Sequence, residues 1–337
     1  MISVVVPIYN EEELISKFHE AVAASLKNVD EDWEVVYVND GSRDSSLQLL
    51  KELQIADSHV VVVDLSRNWG HMGAISAGLR TARGEAIILM DGDFQDPPEV
   101  LPELVDAWRG GAQVVVGVRR SRQERRKILA KLFPVFYRVL AALSDYPIPL
   151  NAGIFGLMDR QVVDSINGLR EGNRYLPGLR AWVGYKNSVV FYDRQDRAAG
   201  EGKLSFISRI KYAMDAITSF SYKPLRISFV LFCISLFIVA ILATCSLFAK
   251  SPIITVGLGV SAAVFLVGGM MLLCLGLMGE YLGRVYDEVR NRPLSIINDV
   301  HYAPAIPASR TMSEFKKADP TLDYPEIEPA IAFKMRA

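Results

Sequence analysis

Short runs of Val and Ile punctuate the first 118 residues at regular intervals: Ser3 to Val6, Val35 to Val38, Val60 to Leu65, Ala86 to Met90 and Val114 to Val118. The stretches between them carry helical periodicity, so the pattern predicts a βαβ series with a mostly parallel sheet. Near-continuous apolar content within each run predicts a sheet covered on both faces. Beyond it, Arg125 to Leu143 places apolar residues at 128, 132, 135, 136, 139, 140 and 143 among Arg125, Arg126, Lys127, Lys131 and Arg138. That spacing predicts a basic amphipathic helix, bent at Pro134. A second amphipathic segment, Phe206 to Phe220, feeds two charge-free runs, Ile227 to Ala249 and Ser251 to Gly279. At roughly 1.5 Å per helical residue the first run reaches about 34 Å, enough for a hydrocarbon core of about 30 Å. Only Lys250 and its neighbours part the two runs, which predicts a transmembrane hairpin.

Domain expectations follow from these boundaries. Residues 1–203 form the α/β domain with its amphipathic helix at about 125–143. Residues 204–226 form a juxtamembrane helix, 227–249 and 251–279 are the two spans, and 280–337 is a cytoplasmic C-terminal segment. The tail from Ala303, with Pro304, Pro307, Pro320, Pro325 and Pro329, lacks periodicity and reads as mobile or extended. Arg209, Lys211, Lys223 and Arg226 precede the hairpin, and Arg284, Arg290 and Arg292 follow it. Basic flanks stay cytoplasmic, which predicts a multi-pass protein of the plasma (inner) membrane with both termini inside. Met1-Ile2-Ser3 runs straight into a strand, so no signal peptide is expected. Beside a membrane, both amphipathic segments read as interfacial helices against anionic headgroups.

Composition narrows the classes. Of 337 residues half are apolar and 22% charged, and 37 Lys+Arg against 38 Asp+Glu leave a net charge of −1. Neither a disordered chain nor a purely soluble enzyme fits. Without a basic excess the long-range field that holds a nucleic-acid backbone is missing, which argues against such a partner. Cys233, Cys245 and Cys274 all lie in the apolar third without metal-ligand spacing, as expected of small apolar side chains on a reducing side.

In open α/β sheets ligands bind at the carboxyl ends of the strands. Here those ends read Pro7-Ile8-Tyr9-Asn10-Glu11, Asn39-Asp40-Gly41-Ser42, Ser66-Arg67-Asn68 and Asp91-Gly92-Asp93, and none carries GxGxxG or GxxxxGK[ST]. Dinucleotide oxidoreductases and P-loop NTPases are thereby disfavoured. Asp91 and Asp93 can reach one divalent cation, and so few carboxylate oxygens suit Mg²⁺ or Mn²⁺ completed by water and substrate phosphate. Gln95 can add an oxygen. Asp96 reads as an N-cap for the next helix, with Pro97 and Pro98 preset for its first turn. Asp40 can accept hydrogen bonds from a base or ribose, and Pro7 to Tyr9 offer a backbone edge and a ring, so together they suit a nucleoside. Glu12 and Glu13 read as a helix N-terminus favoured by its dipole, Glu11 stays open, and His71 is assigned no role. Arg119, Arg120, Arg122, Arg197 and Lys203 are candidates for holding a phosphate, which beside interfacial helices is naturally a lipid phosphate.

VVVPIYNE (Val4 to Glu11), VNDGSRD (Val38 to Asp44), SRNWGH (Ser66 to His71), DGDFQDPPE (Asp91 to Glu99), RAAGEGK (Arg197 to Lys203) and GEYLGRVYDEVRNRP (Gly279 to Pro293) together resemble the polyprenyl-phosphate glycosyltransferases of glycosyltransferase family 2. Within that family the chain is most similar to the bactoprenol glucosyltransferases. The resemblance implies a GT-A fold, a nucleotide-sugar donor, a metal at Asp91 and Asp93, inversion at the anomeric carbon, and a homo-oligomer, commonly a tetramer. Taken with the reading of the strand ends, Pro7, Tyr9, Glu11, Asp40 and Asp91 are expected to bind the nucleotide sugar, Asp91 and Asp93 to serve catalysis, Asp91, Asp93 and Gln95 the metal, and Arg119, Arg197 and Lys203 the acceptor phosphate.

Two departures stand out. The family usually carries an acid in its GDFxLM segment, where this chain has Ile154, and the usual serine of AGESK is Gly202. A phosphomonoester with a second pKa of about 6 is already largely anionic near neutrality, so a general base is helpful rather than obligatory. The expected activity is inverting transfer of a hexose, glucose first, from UDP-sugar to undecaprenyl phosphate on the cytoplasmic membrane face, for export and cell-surface glycan modification. The alternatives are the same chemistry with another sugar or lipid, as in dolichyl-phosphate mannose synthases and aminoarabinose transferases, or a weakened or non-catalytic lipid-binding variant because of Ile154.

Overall fold

Alternation within the Val-rich runs builds two cores at once. In strand β1 (Ile2–Ile8) residues Val4, Val6 and Ile8 enter one apolar cluster and Val5 the opposite one, and all are buried. A computed structural model of the chain describes residues 1–120, 152–169, 171–172, 174–193, 232–242, 244 and 252–302. The helices expected at 125–143 and 204–226, together with Arg122, Arg197, Lys203, Cys245, Lys250 and the tail from Ala303, lie outside the described residues.

Eight strands form one sheet. They are β1, β2 (Trp33–Asn39), β3 (Val60–Leu65), β4 (Ala86–Leu89), β5 (Val114–Arg119), β6 (Ala152–Asp159), β7 (Asn187–Tyr192) and β8 (Ile297–His301), in the order β7-β5-β6-β4-β1-β2-β3-β8. β1 pairs in parallel with β2 and β4, and β2 with β3. The sheet is mostly parallel in its β1–β4 part, as expected, and its exceptions are β6, which runs antiparallel between β4 and β5, and β8, antiparallel to the edge strand β3. The physical reason is a return strand: once β5 has left the sheet's middle, β6 comes back through the gap beside β4. The result is a single mixed α/β sheet with helices on both faces.

Helices α1 (Ile15–Leu26), α2 (Ser46–Ala56) and α4 (Leu101–Arg109) lie on one side. Helices α3 (His71–Thr81), α5 (Arg160–Asn167) and α6 (Leu176–Trp182) lie on the other. α1 begins only at Ile15, with no acid in its first turn. Glu12 therefore does not serve the start of α1; its Oε2 accepts the N–H of Ser45, the N-cap residue of α2, at 2.8 Å. Asp96 is not an N-cap either, because a 3₁₀ turn, Pro98–Val100, precedes α4 and Pro97 occupies the cap position.

Past the sheet, Phe232–Leu242 is an apolar helix and Pro252–Arg290 a long one. Among the described residues the stretch Thr255–Arg290 is the one helix long and apolar enough to cross a membrane, with mean hydropathy 2.3 over its most apolar window. The helix continues eleven residues beyond the Gly279 limit of the expected span, aided by an Arg284–Glu280 pair of 2.9 Å one turn apart. Its far end touches the α/β domain where the Glu288 carboxylate accepts the Gly172 N–H at 3.2 Å. From Arg290 the chain needs only the short link to Ile297 to join the sheet as β8.

Candidate active site

The carboxyl ends of β1 and β2 are tied into one unit by reciprocal bonds. Asn10 sits in the left-handed region (φ 53°), which an asparagine tolerates better than most residues. Its N–H donates to Ser42 Oγ at 3.1 Å, and its Oδ1 accepts the Arg43 N–H at 2.8 Å. The Glu11 N–H donates to Ser46 Oγ at 3.1 Å. Between them Gly41 turns with φ 62°, and a Cβ there would lie 2.5 Å from the backbone of Arg67 and Asn68. Glycine is required on both counts.

Asp40 is buried, and its Oδ1 accepts the Trp69 N–H at 2.7 Å. Burial pushes its carboxyl above the usual range, while the Trp69 and Gly70 amides and the His71 and Arg67 charges pull the other way. The structure thus places Asp40 between the β1–β2 loops and the Ser66–Gly70 turn. Arg67 stacks over the Trp69 ring at 3.6 Å. Pro7, Tyr9 and Glu11 are half-buried along the same edge.

The β4 end supplies the acids. Gly92 packs so closely on β1 that a Cβ would lie 2.8 Å from Ile8 Cδ1. Asp93 is 5% exposed, and its Oδ1 accepts the Gln95 N–H at 3.1 Å. Phe94, held at φ 60°, meets Phe18 edge-on with ring centroids 5.2 Å apart, so packing on α1 fixes the turn that separates Asp93 from Gln95. Asp91 is partly exposed, and His71 Nε2 lies 3.5 Å from its Oδ1. Among the described residues no three His, Cys, Asp or Glu side chains close into a metal cage. The donor set nevertheless fits a hard cation, since two carboxylates one residue apart leave coordination positions for water and phosphate oxygens.

Arg119, at the end of β5, reaches the acidic loop through a residue the sequence did not single out. Its Nε donates to the Tyr192 hydroxyl at 3.2 Å, and Tyr192 donates to Asp96 Oδ1 at 2.6 Å. Burial opposes the Arg119 charge, but Tyr192, Asp96 and Asp91 together hold its pKa above the ordinary value. Tyr192 is itself pushed up, by burial first and by Asp96 next. Arg120 is exposed and meets Asp193 at 3.4 Å.

A second arginine, also unforeseen, lies behind Arg119. Arg180 is 4% exposed; its Nη1 donates to the Ile154 carbonyl at 3.2 Å and its Nη2 to the Gly153 carbonyl. A Cβ on Gly153 would lie 3.4 Å from Arg119 Nη2, so one glycine separates the two guanidinium groups. Burial lowers the Arg180 pKa to about 10. Ile154 itself packs against the apolar cluster on the α3, α5 and α6 side. Neither Tyr192 nor Arg180 sits in a motif, and only the pairing of β7 with β5 and of β6 with its neighbours brings them here. Arg119 thereby joins Asp91, Asp93 and Gln95 at one edge, while Arg197 and Lys203 lie outside the described residues.

An acidic turn, a buried carboxylate loop and a tethered arginine thus lie at the carboxyl edge of a mixed α/β sheet, and what such an edge does is shown by the relatives of the chain. Residues 3–166 match the family described as Glycosyl transferase family 2. The chain is 40% identical to the uncharacterized glycosyltransferase YkcC of Bacillus subtilis (strain 168), over 88% of this chain and 92% of that protein. It is 37% identical to the bactoprenol glucosyl transferase of Shigella phage SfII, over 89% and 98% of the two chains. A prophage bactoprenol glucosyl transferase homolog of Escherichia coli (strain K12) is 35% identical over 89% and 99%. Among solved structures, mannosyl-3-phosphoglycerate synthase from Rubrobacter xylanophilus aligns with TM-score 0.43 at 18% identity, over 67% of this chain and 74% of that one. The chain belongs to glycosyl transferase family 2 and is a glycosyltransferase.

Proposed function

We propose that the protein transfers a hexose, glucose first, from UDP-sugar to undecaprenyl phosphate at the cytoplasmic face of the membrane, with inversion at the anomeric carbon. The observation that carries this reading is the bonding of Arg119, at the end of β5, through Tyr192 to Asp96 of the acidic loop that follows β4, in a chain that also holds a long apolar helix. Similarity to proteins named bactoprenol glucosyl transferase along nearly their whole length supports the same substrates.

In this reading Pro7, Tyr9, Glu11 and Asp40 bind the nucleotide sugar. Asp91 and Asp93, with Gln95, hold a divalent cation, Mg²⁺ or Mn²⁺, which when bound offsets the negative charge that develops on the departing diphosphate. Arg119 orients the lipid phosphate, assisted by Arg197 and Lys203. A phosphate oxygen attacks the anomeric carbon as the bond from that carbon to the diphosphate breaks, releasing UDP. The bonds from Arg119 to Tyr192 and from Tyr192 to Asp96 support this role by limiting the positions open to the guanidinium. An acceptor that is largely anionic near neutrality attacks without a base at position 154, so Ile154 is compatible with turnover.

The remaining architecture belongs to the same proposal: a catalytic domain over residues 1–203, interfacial helices at about 125–143 and 204–226, spans at 227–249 and 251–279, cytoplasmic termini and a homotetramer. Membranes carrying the protein, incubated with labelled UDP-glucose and undecaprenyl phosphate, are expected to yield labelled lipid that disappears with excess chelator. Folded protein that labels no lipid with any nucleotide sugar overturns the reading.

A further inference from the structure

Two hydrogen-bonded routes lead from the segment after the long helix to the loop that carries Asp40. On the first, Asn298 in β8 donates through Nδ2 to Asp64 Oδ2 at 3.0 Å, and Asn39 Nδ2 donates to Asp64 Oδ1 at 2.7 Å. Asn39 Oδ1 then accepts the Ser42 N–H at 3.2 Å, and Ser42 Oγ accepts the Asn10 N–H at 3.1 Å. On the second, the Ile296 carbonyl accepts the Ser66 N–H at 3.0 Å, and Ser66 Oγ accepts Trp69 Nε1–H at 3.1 Å. The Trp69 N–H closes that route on Asp40 Oδ1 at 2.7 Å.

The chemistry of each group fixes the direction of the first route. A carboxylate only accepts, so Asp64 takes the amino end of the Asn39 amide. The oxygen end of Asn39 must then face Ser42, and the shape of the Gly41–Ser42 turn follows. Asn39 and Asp64 are 1% and 8% exposed, so neither can exchange these bonds freely for water. Asn298 is exposed, and what it contributes to the interior is its bond to the second oxygen of Asp64.

We infer that Asn298 and Asp64 are positioning residues for the donor nucleotide, through which the strand following the long helix sets the shape of the Asn39–Ser42 turn. The inference rests on reading that turn as part of the UDP-sugar site. It ties donor affinity to correct seating of the chain as it leaves the long helix, because β8 begins within a few residues of the helix end.

The test uses the full-length chain in detergent, UDP as the probe for calorimetry, and UDP-glucose with undecaprenyl phosphate for rates. Asn298→Asp sets one carboxylate against another, and it is expected to weaken UDP binding and raise the donor KM about 5- to 10-fold while leaving the acceptor KM unchanged. Asp64→Asn combined with Asn298→Asp reverses the polarity of the pair: residue 64 still accepts from Asn39 and now donates to residue 298. That double variant is expected to recover UDP affinity to near the wild-type value. A loss that were merely structural would not be confined to the donor, and the acceptor KM and melting temperature are therefore read alongside the swap. The relay is overturned if Asn298→Asp binds UDP like wild type, or if the double variant binds no better than the single one. If the wild-type chain itself does not bind UDP, the donor reading fails, and the relay with it.

Discussion

His71 Nε2 stands 3.5 Å from Asp91 Oδ1, at the first residue of α3, where the turn after β3 delivers it to the end of β4. A group that braces a metal-binding carboxylate sets its orientation and so the affinity for the cation, by 10- to 100-fold in typical cases.

His71→Ala is therefore expected to raise the Mn²⁺ concentration for half-maximal rate about tenfold, with a smaller effect at saturating metal. Asp93→Asn serves as the reference for direct ligation and is expected to remove turnover at any metal concentration. A metal titration of His71→Ala that overlays wild type would place His71 outside the metal's environment.

Asp40 carries a prediction in pH. Burial raises its pKa above the unfolded value of about 3.9, so the folded state favours the protonated form. The stability it contributes is complete below that value and is lost as pH rises through the folded pKa. At neutral pH the carboxyl is thus a cost to folding, as fits a group proposed to bind the nucleotide. Asp40→Asn should melt higher than wild type at pH 7, with the gap closing near about pH 4, while UDP affinity falls about tenfold or more. A lower melting temperature for the variant at pH 7 contradicts this assignment of the shift.

How much of this was legible in the sequence depended on distance along the chain. The β1 to β5 runs and the acidic turn at Asp91-Gly92-Asp93 are local patterns, and the structure keeps them within a residue or two at most ends. Strand β6 escaped because Gly153 and Gly156 dilute its β-branched signal, although Gly153 to Met158 corresponds to the family's GDFxLM segment in the resemblance. β8 escaped because Ile-Asn-Asp-Val-His is short and polar, as an edge strand can be. Asp96 looked like a helix cap because Pro follows it, yet its oxygen accepts from Tyr192, ninety-six residues away in the chain. Buried Arg180 could not be foreseen, since a lone arginine in Leu-Arg-Ala-Trp reads as surface.

Glu34 separates stability from function. It is 1% exposed, pairs with Arg83 Nε at 2.8 Å and Nη2 at 2.5 Å, and accepts from Ser3 Oγ at 2.6 Å. This network joins the starts of β1 and β2 to the α3–β4 turn, at the end of the sheet away from Asp91. Removing one partner of a buried pair strands the other, so Glu34→Ala is expected to cost about 3–5 kcal/mol in unfolding free energy, with the donor KM unchanged in the folded fraction. Replacing Glu34 and Arg83 together by apolar residues should cost less than Glu34→Ala alone. Additive losses would show that the pair is not coupled.

Ile154 and Arg180 set the last prediction. Arg180 is buried, its pKa is lowered to about 10 by burial, and the carbonyls of Gly153 and Ile154 are what its Nη atoms contact. Its Nε finds no partner among the described residues. Ile154, whose own carbonyl Arg180 holds, stands where the resemblance noted in the sequence implies an acid. A carboxylate introduced there gives a desolvated cation a counter-charge, and charge-assisted bonds are about twice as strong as neutral ones. It also brings a proton acceptor to the segment next to Arg119. Ile154→Asp is expected to raise kcat about 5- to 10-fold, a gain of about 1–1.4 kcal/mol in the barrier, with the donor KM unchanged. Loss of the partly buried isoleucine offsets some of the stability gained, so the melting temperature should move little. Ile154→Asn supplies the same shape without the charge and should recover less than half of the gain. Equal effects of Asn and Asp would remove charge as the cause, and a fall in both kcat and melting temperature with Asp would show that the segment around Ile154 has been repacked for an apolar residue.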